Sequence, residues 1–280
     1  MKKRNLLYAA ISVICVIAII LGVYHQMFSG KVANESKVNI VEDLTDEEEK
    51  TDPKDTLAEF NKLFTNTFSN QGYSTENVIK YDGLENYDII YTLYDGIKEA
   101  KEDLYDVDAN IPVINIAAAS ELNGITQSLF ADKTTKILQE SNKYTIYSVQ
   151  YVAYLNDNIL SLAIKSTLKE GNSAQRIIVQ TYNYDINTNK ELTLNDVLEK
   201  YELKTRDVNK KIEEQVKEAS EQASIISQAT GQIVYKRDLN NAMYATDNAK
   251  NFLVGKDGQI YIIYAYGNNN ITSEIDIIKI

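Results

Sequence analysis

His25 is the only histidine in the chain and Cys15 its only cysteine, and both lie within or against an apolar run at residues 6–24. A Ser-His-Asp or Cys-His nucleophile needs an imidazole base, and zinc and non-haem iron sites draw on histidine. Those chemistries therefore have no donors in the rest of the chain. What remains is oxygen. The 40 Asp and Glu residues would permit hydrolysis by a carboxylate acid–base pair, but no spacing singles out a pair. No catalytic residue, metal ligand or cofactor is assigned, and the expectation is a protein that is not an enzyme. Asp185, Asn187 and Asn189 alternate like the opening ligands of a calcium loop, with Asp196 at the closing position, yet Lys190 stands where such a loop needs glycine. A plain strand-to-helix turn is the expectation there.

The strongest candidate for recognition lies near the end of the chain. An aromatic strand containing Tyr264 and Tyr266 breaks at Gly267 into Asn268, Asn269 and Asn270, followed by Thr272 and Glu274. A loop held between two strands offers amide donors and acceptors suited to protein backbone or glycan hydroxyls. The alternative is that Gly and Asn supply the positive φ of a hairpin. Tyr264, Tyr266, Asn268, Asn269, Asn270, Thr272 and Glu274 are the candidate ligand-binding residues. Tyrosine can stack on sugars, and there are 20 tyrosines and no tryptophan; most alternate at strand spacing, which marks them as cladding of a sheet.

The elements that must position this loop follow from periodicity. Leu57, Phe60, Phe64 and Phe68 recur at helical spacing. Residues 87–94 and 105–116 read as strands separated by a charged connector containing Gly96, and Leu122, Ile125, Leu129 and Ile137 mark a helix over 121–139. Three strands at 143–155, 159–168 and 175–186, joined by short turns, predict an antiparallel meander. Thr193 to Asp196 fits a capping box, and Val208, Ile212, Val216, Ala219, Ala223 and Ile226 form a helical stripe that should pack on the sheet. Strands at 252–254, 259–266 and 274–280 finish the chain, with Asp257-Gly258 as a hairpin signal. The fold class expected is α+β, antiparallel sheets with packed helices, preceded by one transmembrane helix.

Lys2, Lys3 and Arg4 precede the apolar run, which would span roughly 28 Å as a helix, close to the bilayer hydrocarbon core. No A-x-A-like cleavage site follows it, and no small residue precedes Cys15 as lipoprotein processing would need. Residues 1–5 are expected to be a short cytoplasmic terminus, 6–24 a transmembrane anchor and 25–55 an acidic disordered tether. Residues 56–160 and 161–280 should form two α+β modules outside the membrane. Residues 1–28 hold three of the 29 basic residues and none of the acidic ones, so the exported part is more acidic than the overall charge of −11. Such a surface excludes nucleic acid as a charge-driven partner.

Residues 105–116 (YDVDANIPVINI), 180–197 (QTYNYDINTNKELTLNDV) and 252–280, with YIIYAYGNNNITSEIDIIKI at their end, resemble the paired extracytoplasmic modules of RsiV-type anti-sigma factors, which sense lysozyme. The same pair precedes the catalytic domain of membrane-anchored peptidoglycan deacetylases in Gram-positive bacteria. The resemblance spans most of residues 81–280 and implies an α+β ectodomain at the cell envelope. It carries over no catalytic residue, and neither a sigma-factor-binding segment nor a deacetylase domain is expected. The functional expectation is a single-pass, N-terminus-inside, non-catalytic module that binds a cell-envelope glycan or an extracellular protein of muramidase type. The alternatives are a carboxylate-dependent cell-wall hydrolase or modifier and a structural accessory of a membrane complex. If the 6–24 segment is an uncleaved anchor, fractionation of the native host will recover full-length protein with membranes; a mature form beginning near Lys31 in the medium would overturn that topology.

Overall fold

Alternation of apolar and polar residues from position 90 onward produces one large sheet. In the computed structural model, which describes residues 53–81, 83–266 and 273–280, strands β2 (Ile90–Lys101), β3 (Tyr105–Ile114), β4 (Thr145–Asn156), β5 (Ile159–Glu170), β6 (Arg176–Asp185) and β7 (Lys190–Glu191) lie side by side in that order, and β1 (Thr67–Asn70) pairs with β4. A second, three-stranded sheet has the order β10-β9-β8, from β8 (Phe252–Val254), β9 (Ile260–Tyr266) and β10 (Glu274–Lys279). The expected anchor at 6–24, nearly all of the tether and residues 267–272 lie outside the described residues. Among the described residues no helix is long and apolar enough to cross a membrane.

The α+β class holds, and β4, β5 and β6 form the expected antiparallel meander. The large sheet is nevertheless mixed, because β3 and β1 both run parallel to β4. Between β3 and β4 the chain passes through α2 (Ser120–Thr126), a π-helical turn at Gln127–Ala131 and α3 (Asp132–Glu140). That crossover is long enough to return the chain to the starting end of the sheet, which a tight hairpin cannot do. The charged stretch around Gly96 is no connector: it is the second half of β2, accommodated by bulges between Thr92 and Tyr94 and between Tyr94 and Ile97. Residue 160 falls inside β5, which pairs with β4 and β6 alike, so 56–160 and 161–280 share one sheet.

Helix stripes ended where other elements claimed the residues. In α1 (Pro53–Lys62) Phe60 is buried, and Phe64 just beyond it is buried too, but Phe68 belongs to β1. Asn66 makes the change of direction. Its φ is 58°, its N–H donates to the Tyr151 carbonyl at 2.8 Å, and its Oδ1 accepts the Tyr151 N–H at 3.0 Å. The π turn shifts the phase of the 120–140 helix, so Phe130, Thr134 and Ile137 are buried while Ile125 is exposed. In α5 (Thr205–Thr230) Val208, Ile212 and Val216 reach the core, whereas Ile226 is exposed and Ala219 and Ala223 are half-buried. The capping box forms on α4 (Leu194–Lys200) as expected, Thr193 and Asp196 bonding reciprocally.

Three apolar clusters give the layer order. Tyr147, Tyr151, Leu162 and Ile164 pack with Phe130 and Ile137 on one face of the large sheet. Val152, Ala163 and Val179 on its other face meet Leu253, Tyr261, Ile263 and Ile277 of the small sheet, with Phe60 and Phe64 closing the side. Phe252, Ile262, Tyr264 and Ile278 on the far face of the small sheet receive Val197, Val208, Ile212 and Val216 of α4 and α5. The stack is helix, sheet, sheet, helix, and β9 is apolar on both faces because it lies between layers.

The two sheets are joined by side chains that serve the backbone of β8. Phe252 N–H donates to Thr181 Oγ1 at 3.1 Å, and Asn183 Nδ2 donates to the Phe252 carbonyl at 3.0 Å. Val254 N–H donates to Ser161 Oγ at 2.9 Å, and that hydroxyl donates to Asn183 Oδ1 at 2.5 Å. Asn156 Nδ2 bonds the Gly255 carbonyl at 2.6 Å. The outward groups of the edge strand β8 are thereby satisfied without another strand. Asn183→Ala removes a buried partner from both Phe252 and Ser161, and urea unfolding is expected to show a loss of about 1–3 kcal/mol with an unchanged m-value.

Glu59 of α1 fastens the helix to the small sheet, accepting Lys279 Nζ at 2.8 and 3.0 Å and the Tyr261 hydroxyl at 2.9 Å. The Lys279 hydrogen bond holds its carboxyl below the usual glutamate range; burial opposes this and the Tyr261 hydrogen bond reinforces it. A depressed folded pKa contributes stability that is present above the ordinary glutamate range and is lost as pH falls through the depressed value. Melting temperatures of Glu59→Gln are expected to decline less steeply than wild type over that acid interval and to be lower than wild type at neutral pH.

Candidate functional site

A cavity of about 670 Å³ opens beside β6, within the size range of small-ligand sites. Ser128 and Leu129 of the π turn, with Asp132, Lys133 and Lys136 of α3, form one wall. Tyr147, Ser166 and Leu168 of β4 and β5 form the floor. Arg176, Ile177 and Ile178 bring the β6 edge into it, and Ala265 and Tyr266 of β9 and Ser273, just before β10, complete it. The pairing register explains the floor, since Tyr147, Leu168 and Arg176 align across three strands, as do Val149, Ser166 and Ile178. Successive residues of β6 face opposite layers. Ile177 therefore joins the inter-sheet cluster while Ile178 lies on the helix side, 42% exposed.

Chemically the cavity has an apolar floor and a cationic rim. Tyr147 is buried, with desolvation pushing its phenol up to about 12 against a hydrogen bond with Ser166, so it is a neutral hydroxyl at physiological pH. Lys133 is held 3.5 Å from Glu170. Lys136 is exposed and has no ion-pair partner among the described residues. Three cations and a single carboxylate, Asp132, lie in the wall of a protein whose overall charge is −11.

The small-sheet wall is rigid for a specific reason. Tyr266 is buried, its ring stacked on Tyr235 with centroids 4.6 Å apart and 5.0 Å from the Arg237 guanidinium, and its hydroxyl is 2.9 Å from that of Tyr244. Burial and the nearby Asp276 charge push its phenol well above the ordinary range. Arg237, itself buried, makes bidentate bonds to Asp276 at 2.7 and 2.8 Å, a bond to Glu274 at 3.0 Å and one to the Tyr235 carbonyl at 3.0 Å. Burial opposes its charge, but the Asp276 and Glu274 carboxylates outweigh it and raise its pKa.

Of the residues singled out from the sequence, Tyr266 lines the cavity, and the loop of Asn268, Asn269, Asn270 and Thr272 lies outside the described residues between Tyr266 and Ser273, both of which are cavity residues. Glu274 serves the Arg237 cluster and accepts the Tyr235 N–H at 2.7 Å. Tyr264, two residues earlier on β9, packs on the same face of the small sheet as Tyr266, edge-on to Tyr244 at 5.0 Å, and does not line the cavity. The walls from the π turn, α3 and β4–β6 were not anticipated; residues so far apart in sequence share no motif, and the π turn leaves no periodic signal of its own.

The Asp185 turn is a turn. Its Oδ1 accepts the N–H groups of Asn187 and Thr188, each at 2.9 Å, and Asn158 Nδ2 bonds its other oxygen. Among the described residues no cluster of His, Cys, Asp and Glu is arranged to hold a metal. The carboxyls there whose pKa is displaced, Glu59, Glu85 and Asp196, are all shifted down, opposite to the shift of a general acid.

No protein-family model matches the chain, and no curated protein matches it. Among solved structures it is similar to a DUF3298 family protein from Pseudomonas aeruginosa PAO1, with TM-score 0.40 and 13% identity over 70% of this chain and 92% of the other. It is also similar to a member of the DUF3298 family from Bacteroides fragilis NCTC 9343, with TM-score 0.30 and 10% identity over 61% and 80% of the respective chains.

Proposed function

We propose that the protein is a membrane-anchored, extracytoplasmic binding module whose ligand, a cell-envelope glycan or an extracellular protein of muramidase type, occupies the cavity beside β6 and contacts the adjoining asparagine loop. The observation that carries this reading is that Tyr266 and Ser273, the residues on either side of the loop singled out by composition, both line that cavity. A preformed apolar floor with a few polar groups at its rim is the usual make-up of a binding site. Tyr266 is fixed by stacking and by the Tyr244 hydroxyl, which lowers the ordering cost of binding.

The test is retention of envelope components on immobilised full-length protein, compared among wild type, Asn269→Ala/Asn270→Ala and Ala265→Trp. The last places a bulky ring at an exposed position of the cavity wall. With folding verified by circular dichroism, both variants are expected to retain the wild-type ligand at least tenfold less well. Equal retention by both folded variants would place the ligand elsewhere.

A further inference from the structure

The backbone beside the cavity carries a feature that side-chain lining alone does not explain. β6 pairs with β5 without interruption from Arg176 to Asp185, so its N–H and C=O groups alternate between β5 and the outer edge. Two bonds fix the phase. The Gln175 carbonyl accepts from Ser273 N–H at 2.9 Å, and the Asn183 carbonyl accepts from Leu192 N–H at 2.7 Å, whereas Ile186 N–H points the other way, to Asn158. Odd-numbered residues therefore face outward. Between those bonds the outward groups of Ile177, Val179 and Thr181 have no backbone partner among the described residues.

Proteins normally protect such an edge with charge, proline, bulges or cover. This fold does so elsewhere. The edge strand β2 has two bulges and carries Lys98, Glu99 and Lys101, and the edge of β8 is satisfied by Thr181, Ser161 and Asn183. Residues 177–183, Ile-Ile-Val-Gln-Thr-Tyr-Asn, contain no charge and no proline. The interval from Gln175 to Asn183 is about 26 Å at strand rise, room for about six residues of an added strand. The cavity opens off this edge, with Ile178 and Ile177 on its two sides, so alternate side chains of an added strand would enter apolar space. Lys136 and Arg176 border that space.

We infer that the cavity and the β6 edge together take an extended acidic segment of a partner protein, which adds as a strand to β6 and places a carboxylate side chain beside Lys136. This rests on the binding-module reading and names its ligand class. Main-chain bonds to Ile177, Val179 and Thr181 supply affinity, and the cavity selects the side chain, as in strand addition generally. Charge complementarity at the rim distinguishes an acidic segment from a basic or neutral one.

The experiment pans a random hexapeptide phage library against the full-length chain in detergent micelles and measures enriched peptides by fluorescence polarisation. Enrichment of β-branched or aromatic residues alternating with Asp or Glu is expected. Lys136→Glu should weaken their binding at least tenfold. Ile177→Pro, which removes an outward N–H and leaves the β5 ladder intact, should abolish it in protein that circular dichroism shows to be folded, with a melting temperature lowered by the loss of Ile177 from the inter-sheet cluster. N-methylation of alternate peptide nitrogens should abolish binding in one phase and spare it in the other, a period-two signature that a pocket-only ligand lacks. Peptides with no acidic preference, binding indifferent to methylation phase, or no enrichment at all would overturn the inference. So would a concentration-dependent dimer lost in Ile177→Pro, which assigns the edge to a second copy. If envelope components are still retained through the cavity while no peptide binds, strand addition falls and the binding-module reading stands; if neither binds, both fall.

Discussion

Everything at the candidate site depends on how the second sheet is fastened to the first. β8 has only three residues, and its outward backbone groups would carry a desolvation cost if buried without partners. Thr181, Ser161, Asn183 and Asn156 provide those partners from the large sheet. Polar side chains on an otherwise apolar inner face thus fix the position of β8, hence of β9 beside it, and hence the place where Tyr266 and Ser273 meet the end of β6. Apolar contact alone is tolerant of small slips; hydrogen bonds with defined donors and acceptors are not.

A second constraint keeps the wall of the cavity in place. The segment after α5 has little regular structure, and its attachment to the small sheet is made by Arg237 with Asp276 and Glu274. A buried ion pair adds little net stability, because desolvation offsets much of its attraction, but removing one partner strands the other. The arrangement therefore acts on geometry. Arg237 and Tyr235 hold the Tyr266 ring, so the end of β9 that lines the cavity does not have to be ordered by a ligand.

The edges of the large sheet show an asymmetry with the same logic. β2 is bulged and charged, whereas β6 presents an uncharged, β-branched stretch. Smooth, apolar sheet edges invite strand addition; this one has no backbone partner between Gln175 and Asn183 among the described residues, and it lies where the cavity opens beside Lys133, Lys136 and Arg176. Shape, backbone polarity and charge coincide at one place, which none of the three would specify alone.

Local features were legible along the chain: the meander from β4 to β6, the capping box at Thr193, the hairpin at Asp257-Gly258 and the aromatic strand β9. Each is set by side-chain period or turn chemistry over a few residues, and such forces act before distant parts of the chain meet. Tertiary structure decided the rest. The parallel pairing of β3 with β4 depends on where a crossover helix lands, and the phase of that helix depends on a π turn that Phe130 satisfies by packing. Tyr264 and Tyr266, two residues apart and alike in sequence, both pack against Tyr244 on one face of β9, and only Tyr266 lies far enough along the strand to reach the cavity. The cavity is assembled from the π turn, α3, three strands of one sheet, β9 of the other and Ser273 just before β10, and its long-range contacts leave no spacing to read along the chain.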